Sequence, residues 1–98
     1  LIFFYNITLY TLIMQYSISE IKRHNTENDC WIYTNEIVYN VTQYLDHHPG
    51  SKLAILRYAG QNCDSHFKFH SKQGQRIWDQ YKIGTIKHRH SEKCCHIL

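Results

Sequence analysis

The chain has 98 residues, room for one compact domain with a modest core to which a bound group could add stability. A hydrophobic share of 43% with eight tyrosines argues for a folded chain over a disordered one, and a net charge of +3, dispersed along the sequence, excludes a nucleic-acid stripe. The four cysteines, Cys30, Cys63, Cys94 and Cys95, form no C-x-x-C pair, and without a secretory signal of the usual form they point to a reduced, cytoplasmic compartment.

Residues 1–13 are apolar but interrupted by Asn6, Thr8 and Thr11, and they fall short of the about 20 residues a bilayer span needs. Met14 is the only methionine and the expected native start, which makes 1–13 a non-native or upstream leader. Ser17 and Glu20 have capping-box spacing, opening a short helix to about Asn25. Cys30–Tyr33 and Glu36–Val41, rich in aromatic and β-branched residues, read as a β-hairpin with its turn at Thr34-Asn35. Thr42 is positioned to cap a helix from Gln43 to His47 that turns Tyr44 and Leu45 inward.

Ser51 offers an N-cap for a helix from Lys52 to Ala59 that Gly60 stops, with Leu53, Ala54, Ile55 and Leu56 as a pocket wall. A further short helix spans Asn62 to His70 and carries Phe67 and Phe69; helical turns from Gln75 to Tyr81 carry Trp78. Lys82 to Ile86 reads as a closing strand, and 88–98 as a polar, basic tail ending in cysteines. Short helices around a hairpin and a late strand give an α+β domain over 14–87, without the repeating strand–helix order of a parallel sheet. A monomer is expected.

The stretch around which these elements gather is Asp46-His47-His48-Pro49-Gly50-Ser51. Pro49 fixes φ and Gly50 permits a positive one, so the chain turns sharply after His48 and can hold that side chain at a pocket rim. A second histidine follows in Phe67-Lys68-Phe69-His70-Ser71. Two imidazoles on opposite sides of one apolar pocket would clamp a flat metal cofactor.

With these residues the sequence resembles the cytochrome b5 family of haem-binding domains. His48 matches the first ligand position, in a His-Pro-Gly-Gly motif whose second glycine is here Ser51, and His70 matches the second. Other matches follow in order: the capped first helix, Trp31 in the hairpin, Tyr44-Leu45, Ala59-Gly60 and Ile83-Gly84. The resemblance implies a cytochrome b5-like α+β fold, with short helices forming a haem pocket packed on a small mixed β-sheet. It implies haem b, held noncovalently since no C-x-x-C-H motif is present, with His48 and His70 as iron ligands. Tyr44, Ile55 and Phe67 would line the haem edge, and Ser71 would bond a propionate. The implied function is a small electron carrier, not a catalyst on its own, between a flavin-dependent cytochrome b5 reductase and a membrane oxygenase or desaturase.

Three readings stay beside it. The spacing of 22 residues between His48 and His70 is shorter than the family's usual one, which brings His66, one turn earlier, into competition as a ligand. A non-redox haem or steroid binding protein is the alternative function; the paired histidines favour the carrier. A zinc site needs three or four converging ligands, and His24, His47, His66, His88, His90 and His96 are expected on the surface. Acidic residues common around the family's exposed haem edge are thin, with Lys52 where an acid often stands, so partner recognition is expected to differ. Finally, Cys95-His96-Ile97-Leu98 fits a C-a-a-X prenylation pattern and Cys94 offers a second acyl site; with the basic 87–93 stretch they would place the domain peripherally on a cytosolic membrane face.

Overall fold

The computed structural model describes residues 14–68 and 70–88. The apolar leader 1–13, Phe69, and the tail residues 89–98 with Cys94 and Cys95 lie outside the described residues. Among the described residues no helix is long and apolar enough to cross a membrane.

A five-stranded mixed sheet carries the domain. Its strands are β1 (Gln15–Tyr16), β2 (Asn25–Thr26), β3 (Asp29–Thr34), β4 (Ile37–Asn40) and β5 (Lys82–Ile86), in the spatial order β1-β5-β4-β3-β2. β1 runs parallel to β5, pairing Gln15 with Thr85 and Tyr16 with Ile86, and the other neighbours are antiparallel. The close approach of β1 explains Gly84: a Cβ there would lie 2.6 Å from the carbonyl oxygen of Met14 and 2.8 Å from the Tyr16 ring.

Alternation along β3 builds two cores, because successive side chains leave a strand on opposite faces. Cys30 and Ile32 join Tyr39, Val41, Tyr44, Leu45, Ile55, Phe67 and Trp78 on one face. Trp31 and Tyr33 face the other way, against Ile21, Val38 and Ile86. Helix α1 (Ile18–Lys22) covers this second face, and α2 (Lys52–Leu56), α3 (Asp64–Phe67) and α4 (Lys72–Trp78) wall the first. Residues 60–63 stitch those walls to the sheet: Gly60 N–H donates to Trp31 O at 2.6 Å, Tyr33 N–H to Gln61 O at 3.2 Å, and Cys63 N–H to Tyr33 O at 2.9 Å.

The closing strand runs Lys82–Ile86 as the sequence indicates, but several other bounds move. Ser17 caps α1 by accepting from Glu20 N–H at 3.1 Å, but the Glu20 carboxylate turns to Arg23 and His24 instead of closing the box, and α1 ends at Lys22, before the expected Asn25, which begins β2. The hairpin turn falls at Asn35-Glu36, both at positive φ (50° and 67°), one residue beyond the expected Thr34-Asn35. Thr34 stays in the strand, 1% exposed, and donates its hydroxyl proton to Asp64.

Thr42 caps nothing: its hydroxyl meets Asn40 Oδ1 at 2.8 Å and accepts from Cys30 N–H at 2.8 Å, and Thr42–His47 is a tight 3-10 helix. Ser51 does not cap α2 either; it sits at φ 86°, ψ 155°. The helices expected over Lys52–Ala59 and Asn62–His70 are shorter, ending at Leu56 and Phe67, whereas α4 begins three residues early because Ser71 caps it, accepting from Gly74 N–H at 3.1 Å. His88, placed in the tail by sequence, meets Glu36 at 2.6 Å.

Candidate functional site

Between α2, α3 and α4 opens an apolar cavity of ≈ 490 Å³, within the size range of small-molecule sites. His48 and His70 face each other across it with ring centres 6.0 Å apart. A metal–imidazole bond of about 2 Å on each side, with each ring nitrogen about 1 Å from its ring centre, would separate two axial rings by about 6 Å. The observed spacing therefore admits one metal ion between the two rings.

Both rings are oriented from behind. His48 Nδ1 lies 2.8 Å from the carbonyl oxygen of Ser51, and His70 Nδ1 lies 3.1 Å from that of Phe67. A carbonyl only accepts, so each Nδ1 carries the proton and each Nε2 is left as the lone-pair nitrogen. The loop holds His48 closely: a Cβ on Gly50 would come within 3.1 Å of His48 Cε1, so the imidazole lies over a bare Cα. On the other side Gly74 lies beside His70 at ordinary contact distance, its would-be Cβ 3.6 Å from His70 Cβ and 3.4 Å from Ser71 Oγ.

Tyr44, Ile55, Phe67 and Ser71 line the same cavity, together with the two histidines. Tyr44 packs edge-on against His48, with ring centres 5.8 Å apart, and Phe67 packs on His70 at 5.6 Å. Burial raises the Tyr44 phenol above its ordinary value, with Tyr81 adding to the effect, so this ring stands in the wall as a neutral phenol. Ser71, expected to meet a propionate, spends an oxygen lone pair on the α4 cap and keeps its O–H proton to donate. Exposed at the cavity lining, Ser71 can turn that proton to a cofactor carboxylate.

His66 also lines the cavity, but its ring rests on Tyr58 with centres 4.7 Å apart, and His48 is paired with His70. Leu53 departs from expectation most: it is 65% exposed on the outer face of α2 while Ala54 and Ile55 line the cavity. Nor is His24 a solvated surface residue. It lies flat on Trp31, ring centres 3.6 Å apart and planes 6° from parallel, between Asp29 at 2.7 Å and Glu20 at 2.8 Å.

Sequence reasoning missed several cavity residues, among them Ile32, Tyr58, Cys63, Gly74 and Ile77. Ser71, a residue type favoured at helix N-caps, carried a signal for the start of α4; Cys63 gave none. Burial pushes the Cys63 thiol up to about 12, so it stands in the wall as a thiol and not as a thiolate ligand. Among the described residues no three of His, Cys, Asp and Glu converge on a metal position. What the site offers is two opposed imidazoles in an apolar slot, which fits a planar macrocycle with a metal at its centre and does not fit a tetrahedral zinc site.

Comparison with known proteins agrees. Residues 17–87 match the family model described as Cytochrome b5-like Heme/Steroid binding domain. A nitrate reductase [NADH] of Phaseolus vulgaris is 38% identical over 77 residues, covering 78% of this chain and 9% of that protein. Cytochrome b5 isoform B of Arabidopsis thaliana is 37% identical over 73 residues, 72% of this chain and 54% of that protein. Delta(5) fatty acid desaturase A of Dictyostelium discoideum is 39% identical over 75 residues, 74% of this chain and 16% of that protein. The chain thus spans a small part of the reductase and the desaturase and about half of the isoform. Among solved structures, cytochrome b5 of Ostreococcus tauri virus 2 superposes with a TM-score of 0.69 at 36% identity, over 74% of this chain and 95% of that one.

Proposed function

The chain belongs to the cytochrome b5 family of haem-binding domains, and from that premise we propose that it carries single electrons through a haem b held between His48 and His70. The observation that carries the reading is the pair of opposed imidazoles 6.0 Å apart, each with its Nδ1 proton tied to a backbone carbonyl. Haem held by two imidazoles supplies a one-electron centre with no position left for oxygen or substrate.

The residues do the rest. The Ser51 and Phe67 carbonyls orient both rings through their Nδ1 atoms, which would leave each Nε2 to hold the iron of a bound haem. Ile32, Ile55, Phe67 and Trp78 exclude water from the slot, and Ser71 orients a propionate at the mouth. A flavin-dependent reductase as donor and a membrane oxygenase or desaturase as acceptor suit this chemistry; the nitrate reductase and desaturase relatives support a partnership with oxidoreductases. Two imidazoles with ring centres 6.0 Å apart match the spacing of a pair of ligands on one metal ion, which favours the carrier over the steroid-binding reading.

The test is an absorption spectrum and a potentiometric titration of the haem-loaded protein. A low-spin six-coordinate spectrum with a reversible one-electron couple is expected. A high-spin spectrum, or no couple, would overturn the reading.

A further inference from the structure

We propose that Trp78 is the positioning residue that sets the two ligand imidazoles relative to each other. The inference rests on the electron-carrier reading and adds to it a residue that neither ligates iron nor hydrogen-bonds a ligand.

The hydrogen bonds behind the rings are local. His48 Nδ1 meets the carbonyl of Ser51 and His70 Nδ1 that of Phe67, each three residues away in the chain, and Gln75 Nε2 donates to the carbonyl of His70 at 3.0 Å. Such bonds fix each ring against its own stretch of chain. They cannot fix one stretch against the other, so the 6.0 Å spacing and the 43° between the two ring planes depend on contacts that join the cavity walls.

Trp78, the last residue of α4, makes those contacts. Its ring centre lies 5.8 Å from that of His70 at 66° and 5.9 Å from that of Tyr44 at 69°, and Tyr44 in turn stands 5.8 Å from His48 at 68°. Among the described residues it is the one ring that packs on both His70 and Tyr44. Tyr39 of β4, at 5.6 Å and 85°, and Phe67, at 5.2 Å and 78°, hold the indole from other sides. Every one of these pairs is edge-to-face, the directional geometry of aromatic contact, so turning one ring disturbs the next. An aliphatic side chain would fill the same space without passing on an angle.

The indole also carries a burden that packing alone does not require. Trp78 is 3% exposed and its Nε1–H has no hydrogen-bond partner among the described residues, a cost that leucine or phenylalanine would not bear in the same core. What the indole supplies, and a single ring lacks, is breadth enough to touch both ligand walls. Two ligands held at one mutual angle need little rearrangement when an electron arrives or leaves, so the contact serves transfer as well as stability.

The experiment records the electron paramagnetic resonance of the frozen, ferric, haem-loaded protein, whose g values follow the angle between the two imidazole planes. Trp78→Leu is expected to keep a low-spin signal, since both ligands remain, but to shift its largest g value and broaden the line. Trp78→Phe, which keeps one aromatic face, should shift it in the same direction by less. Ile21→Val is the control: it loosens the core on the other face of the sheet, which lines no part of the cavity, and should lower the melting temperature with the g values unmoved. Unchanged g values in both Trp78 variants, whatever stability they lose, would overturn the proposal and leave Trp78 as core filling. So would an equal shift in Ile21→Val. If Trp78→Leu fails to take up haem, Trp78→Phe decides alone by the same criterion. A low-spin signal in the unaltered protein keeps the carrier reading in each of these cases; its absence there would overturn both.

Discussion

The carbonyl oxygen of Ser51 accepts a hydrogen bond from His48 Nδ1–H at 2.8 Å, and Ser51 holds that carbonyl in place from φ 86°, ψ 155°, a region almost reserved for glycine. The residue that orients the ligand is itself strained, where the family's motif has its second glycine. Such a conformation costs a non-glycine residue about 1–3 kcal/mol. Glycine would remove that strain and add about 0.4–1 kcal/mol of unfolded-state entropy. Ser51→Gly is therefore expected to stabilise the protein by about 1 kcal/mol, read as a higher urea midpoint at unchanged slope, with the low-spin spectrum retained.

The ligand assignment separates two histidines one helical turn apart. His48→Ala and His70→Ala should each abolish the low-spin spectrum, whereas His66→Ala should leave it, because the His66 ring packs on Tyr58. A spectrum that survives His70→Ala and disappears with His66→Ala would reverse the assignment.

Removing haem should lower the melting temperature, since a group that binds only the folded chain stabilises it by mass action and the cavity loses its filling. Melting curves of the apo and haem-loaded forms check this. Coincident curves would show that haem does not bind the folded chain in preference to the unfolded one.

Two carboxylates set an acid limit on stability. The hydrogen bond from His24, then that from Arg23, holds Glu20 below its ordinary value of 4.5. The Thr34 hydroxyl, then the Asn35 amide, holds Asp64 below 3.8. A folded-state value below the unfolded one stabilises the native chain fully above the ordinary carboxylate range, and the contribution is lost as pH falls through the depressed values. Melting temperature should therefore fall less steeply below about pH 4.5 in Glu20→Gln and in Asp64→Asn than in the unaltered protein, each starting from a lower value at pH 7.

Inside the core, Trp78 is 3% exposed and its Nε1–H is the one buried side-chain polar atom without a partner among the described residues. Its ring packs on Tyr39, Tyr44, Phe67 and His70. Trp78→Ala is expected to cost about 3–5 kcal/mol. Trp78→Phe should cost less than half of that, because it keeps the ring contacts and removes an orphan donor. Equal losses in chemical denaturation would show that the N–H is satisfied in solution.

The site was legible in the sequence where chemistry is carried by local order. His48 before Pro49-Gly50, and His70 before Ser71, are patterns a chain shows without folding. The β5 strand was legible for the same reason. The wall of α2 was not: Leu53, Ala54, Ile55 and Leu56 are four apolar residues in a row, a run without periodicity that cannot say which of them faces outward, and it is Leu53 that does. The hairpin turn slipped by one because Asn35 tolerates a positive φ readily and Glu36 gives no such sign. His24 could not be read at all, since its place on Trp31 comes from packing α1 against the sheet.

The parallel pairing of β1 with β5 puts Gln15 beside Thr85 and Tyr16 beside Ile86. The first and last strands of the domain are thus immediate neighbours, and neither contributes a residue to the cavity. A domain whose chain arrives and departs at adjoining strands can be spliced into a larger polypeptide with both junctions in one place and its redox site undisturbed. That portability suits a unit whose relatives include proteins of which the matching stretch is 9% and 16%.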